Sequence, residues 1–412
     1  MTAHFRPEIS TLRSLDFRGA KDWLAPKSDQ EIAQILGALA QVSHSRAVEI
    51  LEEFPLERRK AIAALQGSTG EQWLLDHAYP ERSVGRLMER APAVFPPSAR
   101  VGEVIEQLRP EVLPAIDRLF YRFEEVANTV SEDLRPLHRI YVKRQLHPFV
   151  LTAPFAYRTY QKPLGYAGDY EMVNMILGDP FLGGSLFAKV LNVWLLAQPS
   201  AQAHRNRVAY LANRLEQEVQ RRASQGARAK VLNLGCGPAG EVQRFLAQSP
   251  VSDMADIVLL DFNDETLDYV RRVLGALREE HHRQTGFTYE KRSVHQILKE
   301  SGRAPAASVA RGYDLIYCAG LFDYLSDRIC KRLMTYFYEL LAPEGLLIAT
   351  NVDASNPNRH SMDLILEWHL IYRTAPQMLE LAPEQADPAD CRVEPDPTGV
   401  NVFLEVRKPR GT

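Results

Sequence analysis

The chain has 412 residues, 45% of them hydrophobic and 25% charged, with a formal net charge of −3. That length suits two or three domains, and a near-balanced charge with no lysine or arginine run argues against a nucleic-acid partner. No run of about 18 apolar residues is present, so no membrane span is expected.

The first residues, MTAHFRPEISTLRS, lack an apolar core of the kind a secretory leader carries, so a cytoplasmic chain is expected. Cys236, Cys318, Cys330 and Cys391 are scattered without CxxC spacing and read as reduced thiols, with no metal site. Residues 1–25 read as mixed and irregular. From Ser28 the apolar positions Ile32, Ile35, Leu36 and Leu39 recur at helical spacing. Further short helices over 47–54 and 56–65 complete a small helical stack.

The segment Tyr79-Pro80-Glu81, Gly85-Arg86-Leu87-Met88 and Val101-Gly102-Glu103 follows. Over 28–110 it resembles the cytoplasmic part of bacterial magnesium channels. In those proteins a helical superhelix leads into a regulatory nucleotide-binding repeat, of which only the opening strand and helix are expected here. The expectation for 1–110 is a docking or regulatory module without a ligand, which could serve either to dock a partner or to form a homodimer.

Residues 111–222 read as a second helical region. Val112, Ile116, Leu119, Phe120 and Phe123 form one apolar stripe, and 140–149 carries another. Between them and the next domain lies PFAYRTYQKPLGYAGDYEMVNM, 154–175, with a helix starting near Asp169. Its tyrosines, Tyr157, Tyr160, Tyr166 and Tyr170, suit a lid over a cationic ligand, since aromatic faces attract cations by about 0.5–2 kcal/mol each.

From 223 to 412 the pattern changes to alternating strands and helices. Val231-Leu232-Asn233-Leu234 reads as a buried strand that breaks into Gly235-Cys236-Gly237-Pro238-Ala239-Gly240 and then a helix. Gly235 and Gly237 can take positive φ and let backbone approach a ligand. The next strand, 256–261, ends in Asp261, whose carboxylate can accept both hydroxyls of a ribose. The turn does not continue as GxGxxG, so a pyrophosphate is not favoured.

LNLGCGPAG is similar to the first motif of class I S-adenosylmethionine-dependent methyltransferases, hhD/EhGxGxG, with Asn233 in place of the usual acid. The resemblance implies a Rossmann-like seven-stranded α/β sheet and S-adenosylmethionine as cofactor. It further implies contacts from Asn233, Gly235, Cys236, Gly237, Asp261, Phe262, Ser293, Val294, Cys318 and Gly320. Strands are expected at 287–293, 313–318 and 346–351, a helix at 361–374, and a closing hairpin about Pro397-Thr398-Gly399. An antiparallel last strand fits this fold and is unlike a dehydrogenase.

KPLGYAGDYEMVN also resembles the element before the catalytic domain in a bacterial family assigned to making 3-hydroxy fatty-acid methyl esters. The acceptor expected is therefore a small molecule bearing a carboxylate or amine, hydroxy-fatty-acid-like or amino-acid-like. Tyr166, Asp169 and Tyr170 are the candidate catalytic residues. Tyr157, Arg158, Asn174, Asp323, Glu367, Trp368 and Tyr372 are the candidate acceptor contacts. A carboxylate acceptor needs no base, whereas an amine could lose its proton to Asp169, Asp323 or Glu367. Two alternatives stand beside methyl transfer. In one, the cofactor's own amine closes an azetidine ring and expels methylthioadenosine; in the other, the chain senses the cofactor without turnover.

Overall fold

Apolar segments between Ala229 and Arg407 pair into one seven-stranded sheet in the order β3-β2-β1-β4-β5-β7-β6. The strands are β1 (Ala229–Leu234), β2 (Ala255–Asp261), β3 (Gly286–Lys291), β4 (Tyr313–Cys318), β5 (Leu341–Val352), β6 (Cys391–Pro395) and β7 (Asn401–Arg407). Strands β1 to β5 are parallel, and β7 runs antiparallel to both β5 and β6. The expected Rossmann-like sheet with a reversed last strand is therefore present. Residues 6–77, 100–301 and 312–410 are described in this computed structural model.

Leu234 pairs with Leu260 on one side and with Cys318 on the other, so β1, β2 and β4 end at one edge. The strand order reverses between β1 and β4, and connections leave these two strands in opposite directions. That opens a crevice at their carboxyl ends. Both faces of the sheet are covered: Leu232, Leu234 and Ile316 pack into one core, and Val231, Ile257 and Leu315 into another. Burial on both faces explains why β1 and β4 are apolar along most of their length rather than alternating.

The chain divides into two compact units, 1–98 and 99–412. In the first, residues expected to be irregular form α1 (Arg6–Ser14) and α2 (Phe17–Leu24). They join α3 (Asp29–Ala40), α4 (His44–Glu52), α5 (Leu56–Ala64) and α6 (Ser68–His77) around Leu12, Leu24, Ile32, Leu36 and Trp73. Ser28 and Glu31 cap α3 reciprocally, and Arg58 ties its start to Ala25 and Lys27 carbonyls. Tyr79-Pro80-Glu81 and Gly85 to Met88 lie outside the described residues.

In the second unit, Val101-Gly102-Glu103 opens a long helix, α7 (Val101–Asn128). This helix runs through 110, so the expected boundary there moves to about 98, and regions 111–222 and 223–412 share one unit. The following helices are α8 (Arg135–Val150), α9 (Pro154–Gln161), α10 (Tyr170–Leu177), α11 (Leu186–Ala197) and α12 (Pro199–Ala223). Ile116, Phe120 and Phe123 pack on Trp194 and its neighbours, while Leu119 is 71% exposed because it sits one position off that face. Ile140, expected in the second stripe, also faces solvent. Between the strands lie α13 (Gly240–Gln248), α14 (Asp264–Glu280), α15 (Val294–Ser301) and α16 (Asp327–Leu340).

The helix expected over 361–374 is only α17 (Arg359–Leu364). Glu367 adopts φ 50°, and the Trp368 amide returns to the Met362 carbonyl at 2.8 Å. This left-handed turn ends the helix. The next residues run extended, with the Ile371 amide donating to the Asp323 carbonyl at 2.7 Å. Glu124 of α7 accepts the His360 and Ser361 amides at 2.9 and 2.8 Å, which fixes the start of α17. A short helix, α18 (Ala375–Leu379), follows.

Candidate active site

The glycine turn after β1 is held from below. The amides of Gly235 and Cys236 both donate to the Leu260 carbonyl, at 2.8 and 3.0 Å. Gly235 and Gly237 take φ 65° and 51°, and Ala239 takes 52° before α13 begins. Asp261, at the end of β2, is buried; one carboxylate oxygen accepts the Asn263 amide at 3.0 Å and the other the Gly237 amide at 3.3 Å. Burial raises its affinity for a proton, and those backbone amides oppose the rise.

A cavity of about 520 Å³ opens over this turn, within the usual range for small-molecule sites. Phe262 projects at its rim, 49% exposed, with the Tyr166 ring 5.6 Å away. Ser293 and Val294 line the same end. The Ser293 hydroxyl accepts the Gln296 amide at 3.3 Å and caps α15, while bonding the Gln296 side chain at 3.1 Å.

Toward the interior the wall becomes charged. Glu241, in the first turn of α13, accepts hydrogen bonds from Asn233 Nδ2 at 3.0 Å and Tyr317 Oη at 2.8 Å. A carboxylate thus stands beside the amide that replaces the motif's usual acid. Burial pushes the Glu241 carboxyl up, and Arg207 is among the groups that pull it back. The Arg207 guanidinium is buried and has no hydrogen-bond or ion-pair partner among the described residues. It lies against Gly320, where an added Cβ would meet Nη1 at 3.0 Å. Gly320, at φ 80°, follows β4, and its amide donates to Thr350 Oγ1 at 3.1 Å.

Asp323 follows on the same loop. Its Oδ1 accepts the Val352 amide at 2.7 Å, and burial pushes its carboxyl up to about 6, against the pull of that amide and Arg207. Tyr324 and Trp368 close the chamber, with Trp368 Nε1 donating to Tyr324 Oη at 2.8 Å. Gly168 packs beneath this pair, its ideal Cβ position 2.8 Å from Tyr324 Oη.

Of the residues expected in the site, Tyr166, Asn233, Gly235, Cys236, Gly237, Asp261, Phe262, Ser293, Val294, Gly320, Asp323 and Trp368 line this cavity. Others point elsewhere. Asp169 caps α10 through the Met172 amide at 2.8 Å and pairs with Arg158 at 2.9 Å, so both hold the start of that helix in place. Tyr170 donates to Glu265 at 2.8 Å and packs on Tyr269, outside the cavity. Tyr157 faces solvent, and Tyr160 packs on His147. Asn174 donates to Glu171, Glu367 pairs with Lys143 at 2.6 Å, and Tyr372 sits under Arg359. Cys318 is buried in the sheet core behind the wall. Among the four tyrosines of the 154–175 segment, then, Tyr166 alone lines the cavity.

Sequence reasoning missed Glu241, Arg207, His204 and Tyr324. Glu241 carried a signal, an acid in the first turn after a glycine loop. His204, Arg207 and Leu211 share a face of α12 at helical spacing, but nothing in the sequence says that this face meets the sheet edge. No group of three or more His, Cys, Asp or Glu side chains among the described residues could hold a metal.

No family model and no curated protein sequence matches the chain. Solved structures do. A possible exported protein from Bordetella parapertussis is similar over 68% of this chain and 100% of its own, at 18% identity and a TM-score of 0.46. Magnesium protoporphyrin IX methyltransferase (ChlM) from Synechocystis PCC 6803, with bound SAH, is similar over 61% of this chain and 98% of its own, at 11% identity and TM-score 0.39. The N-methyltransferase NodS from Bradyrhizobium japonicum WM9, in complex with S-adenosyl-L-homocysteine, is similar over 61% and 100%, at 15% identity and TM-score 0.34.

Proposed function

We propose that the second unit binds S-adenosylmethionine in the crevice between β1 and β4 and transfers its methyl group to a small-molecule amine. The observation that carries this reading is the buried array Glu241–Arg207–Asp323 beside the glycine turn and Asp261. An α-amino-acid end needs a cation for its carboxylate and an anion for its ammonium; Arg207 and Glu241 supply them. Asp261 suits the ribose, and Phe262, Tyr166 and Val294 offer apolar faces to the adenine. The carboxylate missing at Asn233 is thereby supplied from the next helix.

Bound there, S-adenosylmethionine supplies a sulfonium methyl whose C–S bond breaks, the electron pair staying on sulfur, as an amine lone pair forms the new N–C bond. The Asp323 carboxylate receives the proton that the nitrogen then releases. A carboxylate acceptor, also expected from the sequence, would face the Asp323 carboxylate and His204 Nε2, which accepts because Nδ1 donates to the Ser200 carbonyl. An amine complements both. Glu241 beside Asn233 offers the cofactor's ammonium an anionic partner, which disfavours its loss of a proton and so the cyclising alternative. The chamber beyond Arg207, walled by Asn356, Met362 and Trp368, leaves room for a separate acceptor. The first unit is proposed as a docking or dimerisation module, which light scattering of the chain with and without residues 1–98 would test.

Mass spectrometry after incubation with S-adenosylmethionine and a set of small primary amines tests the main reading. S-adenosylhomocysteine appearing only with an amine present supports it. Methylthioadenosine appearing without any amine would establish cyclisation instead, and intact S-adenosylmethionine in every tube would favour a sensor.

A further inference from the structure

His204 stands in the wall between two cavities. On one side is the active-site chamber; on the other a second cavity of about 50 Å³ shares Ser200, His204, Met362 and Trp368 with it. The second cavity's remaining wall is almost wholly apolar, including Phe120, Phe155, Ile176 and Trp194. His204 Nδ1 lies 2.9 Å from the Ser200 carbonyl oxygen. A carbonyl only accepts, so the proton sits on Nδ1 and Nε2 presents a lone pair. That Nε2 has no partner among the described residues, although the residue is only 8% exposed. Burial, with Arg207 and Arg205 nearby, drives the imidazole's pKa down to about 3, so it stays neutral and accepting. An unpartnered acceptor on a side chain that lines both cavities is available to a ligand's N–H.

We propose that His204 Nε2 receives one N–H of the acceptor amine while that amine's apolar substituent enters the second cavity, making the substrate a primary amine with a short apolar group. This rests on the methyl-transfer reading above. Asp323 and His204 together take the two N–H groups of a neutral amine, and the substituent takes a third direction. The remaining tetrahedral position, the nitrogen lone pair, is then free to meet the methyl group. The size limit follows from volume: about 50 Å³ accommodates roughly three to five atoms the size of a water. A long alkyl or acyl chain exceeds that volume.

Full-length protein is incubated with S-adenosylmethionine and methylamine, propylamine, butylamine, octylamine or dodecylamine, and the N-methylated products are quantified. Propylamine and butylamine are expected to react, with kcat/KM for octylamine lower by about tenfold or more. His204→Phe should raise the KM for propylamine about five- to tenfold, while S-adenosylhomocysteine affinity by calorimetry stays unchanged. His204→Gln, which restores an acceptor oxygen, should recover part of that loss. Ala201→Val, which narrows the second cavity, should depress butylamine turnover more than methylamine turnover. The proposal is overturned if octylamine reacts as well as propylamine, if His204→Phe keeps the native KM, or if protein that binds S-adenosylhomocysteine methylates none of these amines. Absence of S-adenosylhomocysteine binding to the native chain would instead defeat the cofactor reading on which the proposal stands.

Discussion

Asp261 spends its carboxylate on two backbone amides and still faces the cavity, so its role can be separated from simple packing. Asp261→Ala should weaken S-adenosylhomocysteine binding by about 1–3 kcal/mol, the cost of leaving ribose hydroxyls unpaired; calorimetry showing no change would remove the ribose assignment. Asp323 makes a pH prediction. With its carboxyl pushed up to about 6, kcat at saturating amine should fall as pH drops through that value, and Asp323→Asn should lower kcat and flatten the fall. The linkage sign is opposite to the usual carboxylate case. A folded-state pKa above the unfolded value means the buried charge destabilises the fold above about pH 6, and the penalty is relieved as pH falls toward the ordinary value of about 4. Any stability advantage of Asp323→Asn at neutral pH should therefore shrink between pH 7 and 5, as measured by thermal unfolding.

Elements show why neighbouring tyrosines in one motif part company. The 154–175 segment makes a tight turn, with the Gly165 amide donating to the Lys162 carbonyl at 2.8 Å, and then enters α10 capped by Asp169. Tyr166 precedes the helix and faces Phe262; Tyr170 lies inside it and faces Glu265 on α14. Tyr166→Ala should weaken cofactor binding and turnover, whereas Tyr170→Phe should cost only about 1 kcal/mol of stability with turnover nearly kept. Equal effects from both, by kinetics and melting, would return Tyr166 to packing. The α17 segment is held through Glu124, whose two bonds to backbone amides are charge-assisted. Glu124→Ala should destabilise the chain by about 2–3 kcal/mol and raise KM for the amine more than it alters S-adenosylhomocysteine affinity. The reason is that this segment carries Trp368 into the chamber wall.

At the scale of the molecule, the cavity is built wholly from residues of the second unit, from Leu164 to Asn401. Each unit also has its own buried core. A chain beginning at residue 100 is therefore expected to keep kcat within about threefold of the full chain, within the spread of substitutions remote from a site. Folded but inactive truncated protein would show that the first unit contributes to the chemistry.

The sequence by itself determined the sheet, because strands buried on both faces read as apolar runs and the glycine turn can form only where backbone takes positive φ. It also placed Asp261, since a strand end and the turn beside it are local features. What only the tertiary structure decided was the charged half of the site. Glu241, Arg207 and Asp323 lie on a helix after β1, a helix before it and a loop after β4, and their meeting is a property of the β1–β4 crevice. The extended path after Glu367 was equally hidden: residues 361–374 have a helix-forming pattern, and a left-handed turn with tertiary hydrogen bonds to Asp323 and Val352 overrides it. Local pattern reports which faces are buried; only packing reports against what.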